Sequence, residues 1–206
     1  MNQDTIQRLQ EARQGDSASL GILLARHRSF LRTLAQIEIG RRLQGKVDAS
    51  DVVQEVFLQA HRGITGFQGE SDGQLVRWLQ TILAGTLANT LRRYLGTQCR
   101  DIRLEQQVSE DLDRSALSLN GLLVDPHSSP SRQVARGEQA HLAIEALSRL
   151  PDDYQQVLIL RHVEGLTFPE IASRMERSVD SVEKLWLRGL TRLKREFTGS
   201  ADVSMG

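Results

Sequence analysis

The sequence has little of what stiffens or crosslinks a chain. Its 206 residues include one cysteine, Cys99, and four prolines, none of them before residue 126. A single cysteine excludes an internal disulfide and is typical of a protein that stays in a reducing cytosol. Few prolines, and no strand-type alternation with paired turn signals, indicate a helical chain without a sheet. We expect five to eight helices.

Long apolar runs and a net charge are also missing. No stretch approaches the roughly 18 apolar residues that span a bilayer, and residues 1–15 lack the apolar core of a secretory signal. The 26 basic residues balance 26 acidic ones, which excludes a protein that coats DNA by bulk charge but not one with local basic faces. Residues 26–100 carry such an excess, with 11 basic side chains against 6 acidic ones.

The residue patterns that are typical of catalytic, metal-binding or nucleotide-binding sites are missing from the sequence. Five histidines occur without metal-ligand spacing, no Ser-His-Asp pattern is present, and no glycine-rich phosphate loop follows a strand. We therefore expect no catalytic residue, no metal and no cofactor, and hence a protein that is not an enzyme. The five histidines are His27, His61, His127, His141 and His162.

Composition divides the chain into four parts. Residues 1–96 and 133–197 are the two predicted domains, and apolar positions recur at helical spacing from about residue 16 in the first and throughout the second. Residues 97–132 are polar and contain Asp125-Pro126 and Ser128 to Ser131 as breakers, which predicts a flexible linker with at most one transient helix. Residues 198–206 are expected to be disordered. The predicted fold class is all-α, with two small helical domains joined by a polar linker.

The second domain contains a motif that predicts a helix-turn-helix. Thr167-Phe168-Pro169-Glu170 has the spacing of a capping box at the start of a short helix. Ser178 is placed to cap a longer helix after a tight turn. Among the side chains expected to face outward, the short polar ones near the start of the helix suit contacts with base edges, and the basic ones further along suit contacts with phosphates. They are Ser178, Asp180, Ser181, Glu183, Lys184 and Arg188. A three-helix packing unit with a solvated face is the alternative.

The turn of this motif departs from the usual pattern. Glu176 stands at the position that commonly holds glycine, and Arg177 follows where an apolar residue is usual. A left-handed backbone at a non-glycine residue costs about 1–2 kcal/mol. We expect the fold to tolerate that cost, with a turn that differs in detail.

The first domain contains an acidic helix and a glycine loop. Residues 48–57 place acids and amides on one face and aliphatics on the other, which indicates either a docking face for a basic partner or acids favoured by the helix dipole. A loop with an aromatic residue beside an arginine-bearing helix suits single-stranded DNA, although Phe67 and Trp78 are equally typical of a core. The docking candidates are Asp48, Asp51, Gln54, Glu55 and Phe57; the DNA candidates are Phe67, Gln68, Arg77, Trp78, Arg92 and Arg93.

In this order, the two motifs resemble the extracytoplasmic-function (ECF) sigma factors of bacterial RNA polymerase, over about residues 17–100 and 131–197. Residues 48–60 are similar to region 2.2, which in that family grips the clamp of the largest catalytic polymerase subunit. Residues 67–93 are similar to regions 2.3 and 2.4, which melt and read the −10 element. Residues 150–195 are similar to region 4, which reads the −35 element, and Arg161 and Thr167 join the DNA candidates there. Gly85-Thr86 replaces the family's Arg-Asn pair, so −10 recognition is expected to differ in detail.

The resemblance implies a cytoplasmic factor that directs core RNA polymerase to promoter DNA, with an anti-sigma protein as a possible further partner and no membrane contact. A stand-alone helix-turn-helix regulator is the main alternative, and it accounts for residues 150–195 but not for the first domain. A helical protein–protein adaptor is a third interpretation. Only a sigma factor would need core polymerase in order to bind its DNA site.

Overall fold

A computed structural model describes residues 3–43, 47–95, 102–120 and 133–203, and within these ranges every regular element is helical. This confirms the all-α prediction. The helices are α1 (Gln3–Arg13), α2 (Ser17–Leu43), α3 (Ala49–Gly63), α4 (Asp72–Leu95), α5 (Ile102–Asn120), α6 (Gln133–Ser148), α7 (Asp152–His162), α8 (Phe168–Arg174) and α9 (Val179–Val203), with a 3-10 turn at Ile64–Gly66. The expected number of helices was too low because α1 and α5 were not foreseen as stable elements.

The chain forms two compact units, residues 1–112 and 113–206. In the first unit α2, α3 and α4 pack against one another and α1 packs on α2. The apolar positions predicted for these helices supply the core, and each buried Leu or Phe side chain contributes about 1.5–3 kcal/mol. The largest fully buried side chains are Leu9, Leu20, Leu23, Phe30, Leu31, Leu34, Ile37, Leu75, Leu79, Leu83 and Leu87.

In the second unit α9 is the central element, since α6, α7 and α8 each pack against it. Val182 and Leu193 of α9 are fully buried, as are Leu158 of α7 and Ile171 of α8. Gly189 lies where α9 meets α7: a Cβ there would contact Leu158 at 3.5 Å. The two helices therefore approach closely at this point.

Helix α5 lies within residues 97–132, which the sequence analysis assigned to a flexible linker. Its Val108, Leu112 and Ala116 recur at intervals of four and are buried, which is the pattern of a helix with one covered face. The division into units falls inside this helix. Residues 121–132 lie outside the described residues, and the predicted boundaries at 96 and 133 stay predictions.

Helix α9 extends further than we expected. We placed the end of the ordered domain at Phe197, but the helix continues to Val203. Helix propagation adds one hydrogen bond for each residue fixed, so a long helix extends at little cost. Within the described ranges, no helix has both the length and the apolar character needed to cross a bilayer.

Candidate functional site

The exposed face of α3 begins at a well-formed N-cap. Asp48 adopts an extended backbone and its carboxylate accepts a 2.7 Å hydrogen bond from the backbone N–H of Ser50. This hydrogen bond lowers the pKa of Asp48 below its usual value, because it stabilises the charged form. The Asp48 side chain therefore acts as the N-cap of α3.

Beyond the cap, Asp51, Gln54 and Glu55 are all exposed, and so is Leu58, whose exposed fraction is 49%. Positions i, i+3, i+4 and i+7 lie on one side of a helix. We refer to these four residues as the α3 stripe. The sequence analysis did not single out Leu58.

Phe57 does not belong to the α3 stripe. Its ring is half-buried and lies under the guanidinium of Arg28 from α2, with 5.4 Å between the guanidinium carbon and the ring centroid. This cation–π contact fixes Phe57 against α2. Phe57 thus supports α3 rather than presenting a surface.

An open groove separates the N-terminal part of α3 from the C-terminal part of α4. The groove is lined by residues predicted to bind polymerase and by a residue predicted to bind DNA. Asp51 and Glu55 of α3 lie on one wall, and Arg93 of α4 lies on the other. The lining residues that carry polar groups are Asp48, Asp51, Glu55, Thr86, Thr90, Arg93 and Tyr94. Gln59 connects the two walls, since its Nε2 donates to Glu55 Oε1 at 3.1 Å and to Thr86 Oγ1 at 3.3 Å.

The loop over residues 67–71 is tightly packed on α4. The rings of Phe67 and Trp78 stack with 4.9 Å between their centroids. A Cβ at Gly69 would lie 2.9 Å from the Cβ of Gln74 and closer still to the Phe67 ring, so only glycine fits there. Gln68 remains exposed. Phe67 and Trp78 therefore form a half-buried aromatic pair, and Gln68 is the side chain that the loop presents.

Gln74 organises the loop from the α4 side. Its side-chain oxygen accepts hydrogen bonds from the backbone N–H groups of Glu70 and Ser71, at 2.7 and 3.2 Å. The Ser71 hydroxyl in turn accepts from the backbone N–H of Gln74 at 3.3 Å. This reciprocal arrangement is a capping box. It links the loop conformation to the start of the helix.

The arginines predicted for −10 recognition are not clustered. Arg77 is exposed near the start of α4, whereas Arg92 is half-buried and Arg93 exposed near its end. Fifteen residues of helix separate Arg77 from Arg92, about 22 Å along the axis. Between them, Thr86 is buried and its hydroxyl donates to the carbonyl of Ile82 at 2.8 Å, so the Gly85-Thr86 pair presents little polar surface.

The helix-turn-helix forms as predicted. The carboxylate of Glu170 accepts hydrogen bonds from the backbone N–H and the hydroxyl of Thr167, at 2.7 and 2.6 Å. These two bonds lower the pKa of Glu170. Ile171 and Ala172 are buried, and Met175 caps the end of α8. The short helix therefore has the boundaries that its capping box and apolar positions indicated.

The turn contains the strained residue that the sequence analysis expected. Glu176 has φ of +54°, a left-handed conformation at a non-glycine residue. The next residue closes the turn, since the backbone N–H of Arg177 donates to the carbonyl of Ala172 at 3.0 Å. Arg177 also pairs with Asp153 of α7 at 2.6 Å, which ties the turn to the rest of the domain.

Helix α9 places most of the predicted −35 residues together on its first turns. Ser178, Asp180, Glu183, Lys184 and Arg188 are exposed, and Ser181 is half-buried. Lys184 and Asp180 pair with 2.7 Å between Nζ and Oδ2, a surface pair that is worth little and exchanges readily. This face therefore carries both hydrogen-bond donors and acceptors that are exposed to solvent.

Arg161 and Thr167 lie elsewhere, in contacts that hold the domain together. Arg161 donates to the carbonyl of Leu166 at 2.9 Å and its guanidinium lies 4.9 Å from the centroid of Phe168. Phe168 in turn packs edge-on against Trp186. Thr167 takes part in the capping box. Both candidates therefore already make contacts within the domain that stabilise its fold.

Further along α9 lie cationic residues that the sequence analysis did not single out. Arg192 and Arg195 follow Arg188 at helical spacing, and all three are exposed beside Leu187, whose exposed fraction is 61%. The i, i+4, i+7 spacing of the arginines is the signal that would have found them. This side of α9 is basic and partly apolar.

Comparison with known proteins assigns families to both units. The family model for sigma-70 region 2 matches residues 23–95, and the model for sigma-70 region 4 matches residues 141–193. Because the first unit has a match of its own, a stand-alone helix-turn-helix regulator is not favoured.

Several curated relatives align with most of the chain. The ECF RNA polymerase sigma-E factor of Haemophilus influenzae is 29% identical over 189 residues, which cover 92% of this chain and 93% of the relative. The protein of the same name from Escherichia coli is 27% identical and covers 84% of each chain. The RNA polymerase sigma factor YlaC of Bacillus subtilis is 28% identical over 79% of this chain and 84% of its own.

Proposed function

Since the chain belongs to the extracytoplasmic-function sigma factors, which direct RNA polymerase to specific promoters and are not themselves enzymes, we propose that its surfaces divide that task. The α3 stripe binds core polymerase, the loop over residues 67–71 with α4 opens the −10 element, and the first turns of α9 read the −35 element. The polymerase supplies the chemistry. The observation that carries this proposal is the exposed α3 stripe, on a helix that packs against the arginine-bearing helix α4 in the same unit.

The α3 stripe supports polymerase binding by its charge and its apolar centre. Asp51 and Glu55 are exposed and one turn apart, where their mutual repulsion favours a cationic partner. Leu58 adds an apolar anchor of the kind that stabilises an interface centre. Asp48 contributes by starting the helix, and Phe57 by holding α3 against α2. The clamp of the largest catalytic subunit is the surface that we propose for this contact.

The loop and α4 support the opening of duplex DNA. Gln68 is exposed beside the Phe67–Trp78 pair, so an unpaired base would meet an amide next to aromatic surface. Arg77 and Arg93 are exposed on the same helix and can bind phosphates, and Arg92 is half-buried close to Arg93. The distance along α4 between these arginines suits several nucleotides of one strand.

The first turns of α9 support sequence reading in the major groove. The N-terminal residues of a recognition helix contact base edges, and basic residues further along contact phosphates. Ser178, Asp180, Ser181 and Glu183 fit the first role, and Lys184 and Arg188 the second. Arg161 and Thr167 contribute through the turn that they stabilise.

Two further proposals follow from family membership. The protein acts in the cytoplasm, where its polymerase and DNA partners are. An anti-sigma protein restrains it by covering surfaces that the polymerase needs, of which the α3 stripe is accessible. Competition between that protein and core polymerase for the chain would be the expected behaviour.

The polymerase contact is tested by reversing the charge of the α3 stripe. We expect the double variant Asp51→Arg, Glu55→Arg to lose binding to core polymerase, because two attractive charges become repulsive, while its helical content stays that of the wild type. Binding is measured by co-purification with core enzyme, and folding by circular dichroism. Asp152→Arg with Glu183→Arg, which makes the same charge change in the second unit, serves as the control. A double variant that still co-purifies with core enzyme would refute this assignment.

A further inference from the structure

Arg13, the last residue of α1, contacts the loop over residues 67–71. Its Nη2 donates a hydrogen bond to the carbonyl oxygen of Gly69, 56 residues later in the chain. Its guanidinium carbon also lies 5.6 Å from the centroid of the Phe67 ring. One side chain therefore holds both the backbone and the aromatic ring of this loop.

Helix α1 is firmly attached, so Arg13 has a defined position. Leu9 and Ala12 are buried, and α1 packs along α2. At the far end of α1, Asp4 accepts from Arg26 of α2 at 2.6 Å. Near Arg13, the Ser19 hydroxyl donates to Glu11 at 2.5 Å. The helix is thus held to α2 at both ends.

The turn after Arg13 is fixed as well. Gly15 has φ of +99°, which reverses the chain as only glycine does readily. Asp16 then caps α2, since its carboxylate accepts from the backbone N–H of Ala18 at 3.0 Å and of Ser19 at 3.3 Å. The Ser19 side chain, together with these backbone hydrogen bonds, lowers the pKa of Asp16. Arg13 therefore projects from a rigid corner towards the loop.

The loop has two supports. Gln74 holds the backbone N–H groups of Glu70 and Ser71 from α4, and Arg13 holds the Gly69 carbonyl from α1. A charged donor makes a stronger hydrogen bond than a neutral one. Gln68, between the residues that Arg13 contacts, is left exposed. Its direction is set by the backbone on both sides.

We propose that Arg13 is a positioning residue for promoter opening. Its guanidinium holds the Gly69 carbonyl and the Phe67 ring so that the loop presents Gln68 to an unpaired nucleobase of the −10 element. This inference rests on the −10 role proposed above. It assigns to α1, which lies before the matched region 2 segment, a part in that role.

The test uses holoenzyme assembled from the full chain and core polymerase. The probe is a fluorescent single-stranded oligonucleotide with the −10 sequence of a promoter that this holoenzyme selects from a library. We expect Arg13→Met to weaken probe binding about tenfold or more, since tenfold is close to the lower limit for losing a hydrogen bond to a charged group. Arg13→Lys should retain most of the affinity, because a lysine can still donate to Gly69. Arg8→Met, on the same helix, should bind as the wild type does.

Two readouts separate positioning from a direct phosphate contact. Arg13→Met combined with Gln68→Ala should bind no more weakly than Gln68→Ala alone, since a residue that acts only through Gln68 has no further effect once that side chain is removed. The slope of log affinity against log salt should stay unchanged, whereas a lost phosphate contact lowers it by about 0.7. An additive double variant with a lower slope would overturn the proposal.

Three further outcomes distinguish the positioning role of Arg13 from the −10 role of the loop and from general damage to the fold. If Arg13→Met binds the probe as the wild type does while Phe67→Ala binds it weakly, the positioning role is wrong but the −10 role stands. If neither Phe67→Ala nor Gln68→Ala weakens binding, the −10 role itself is wrong. If Arg13→Met lowers affinity for core polymerase as much as for the probe, the effect is general damage to the fold, and the proposal is overturned.

Discussion

Among the residues that the structure describes, Glu176 is the one non-glycine residue with a left-handed backbone. Its φ of +54° places it in the left-handed region, where an L-residue with a Cβ is strained by about 1–2 kcal/mol. The side chain is exposed. The turn of the helix-turn-helix therefore keeps its shape through the contacts around it, namely the Arg177 backbone bond to Ala172 and the Arg177–Asp153 pair.

We predict that Glu176→Gly stabilises the second domain. Glycine removes the steric strain but has more conformational freedom in the unfolded chain, so we expect the free energy of unfolding to rise by about 0.5–1 kcal/mol. Urea denaturation followed by circular dichroism measures the change. Arg177→Gly is the matched control and should lower stability, because it removes the pair with Asp153. A Glu176→Gly variant that is less stable than the wild type would contradict the role of strain here.

Single residues also mark the limit of sequence analysis. Phe57 and Arg161 were assigned to binding surfaces from their motifs, yet both take part in cation–π contacts, Phe57 with Arg28 and Arg161 with Phe168. Leu58 was assigned to no site and is half-exposed. A helical period assigns a residue to a face, but it does not show how far the neighbouring helix covers that face.

The packing of α7, α8 and α9 centres on Trp186 and His162. The indole Nε1–H of Trp186 donates to His162 Nε2 at 2.8 Å, which requires that this ring nitrogen carry no proton. Burial, and to a lesser extent the charge of Arg161, lower the pKa of His162 below 6.5. A neutral His162 is therefore part of the folded second domain.

We predict that acidification destabilises this cluster. Between the lowered folded pKa and 6.5, the unfolded chain binds more protons than the folded one, so stability rises with pH in that window and falls as pH decreases through it. Unfolding of a Trp78→Phe variant, followed by Trp186 fluorescence between about pH 7.5 and 5.5, measures the effect. His162→Gln keeps an acceptor for the indole but does not titrate, and should have a flatter pH profile. Equal pH dependence in both proteins would refute this assignment.

At the scale of elements, strongly patterned helices were predictable and α5 was not. Helices α2, α3, α4, α8 and α9 have apolar residues at regular spacing next to capping residues. Their predicted inward positions are buried or half-buried, except for Val179 at the start of α9, which is exposed. Helix α5 has Leu104, Val108, Leu112 and Ala116 at intervals of four within a largely polar segment. A largely polar helix that is stabilised mainly by tertiary contacts cannot be distinguished from a polar linker by its sequence alone.

At the scale of the whole molecule, the chain consists of two compact units. The first unit matches sigma-70 region 2 and the second matches region 4. The fold class and the sigma-factor function were predictable because the order of motifs is more specific than either motif. The groove that brings Asp51 and Glu55 opposite Arg93 was not predictable, since it depends on how α3 and α4 pack.

The balanced charge of the chain has a consequence at this scale. With 26 basic and 26 acidic residues, the chain lacks the excess of positive charge that gives DNA-binding proteins most of their non-specific affinity. We therefore expect promoter binding to depend on polymerase, whose own surface supplies the missing contacts. This dependence separates a sigma factor from a regulator that binds DNA alone.

The most direct test is in vitro transcription from a promoter library, with a parallel measurement of DNA binding by the chain alone. We predict transcripts from discrete start sites only when the chain and core polymerase are both present. The chain alone should bind the same promoter fragments far more weakly than the nanomolar strength of a dedicated regulator. Nanomolar binding by the chain alone, with no chain-dependent transcript from core polymerase, would contradict the account.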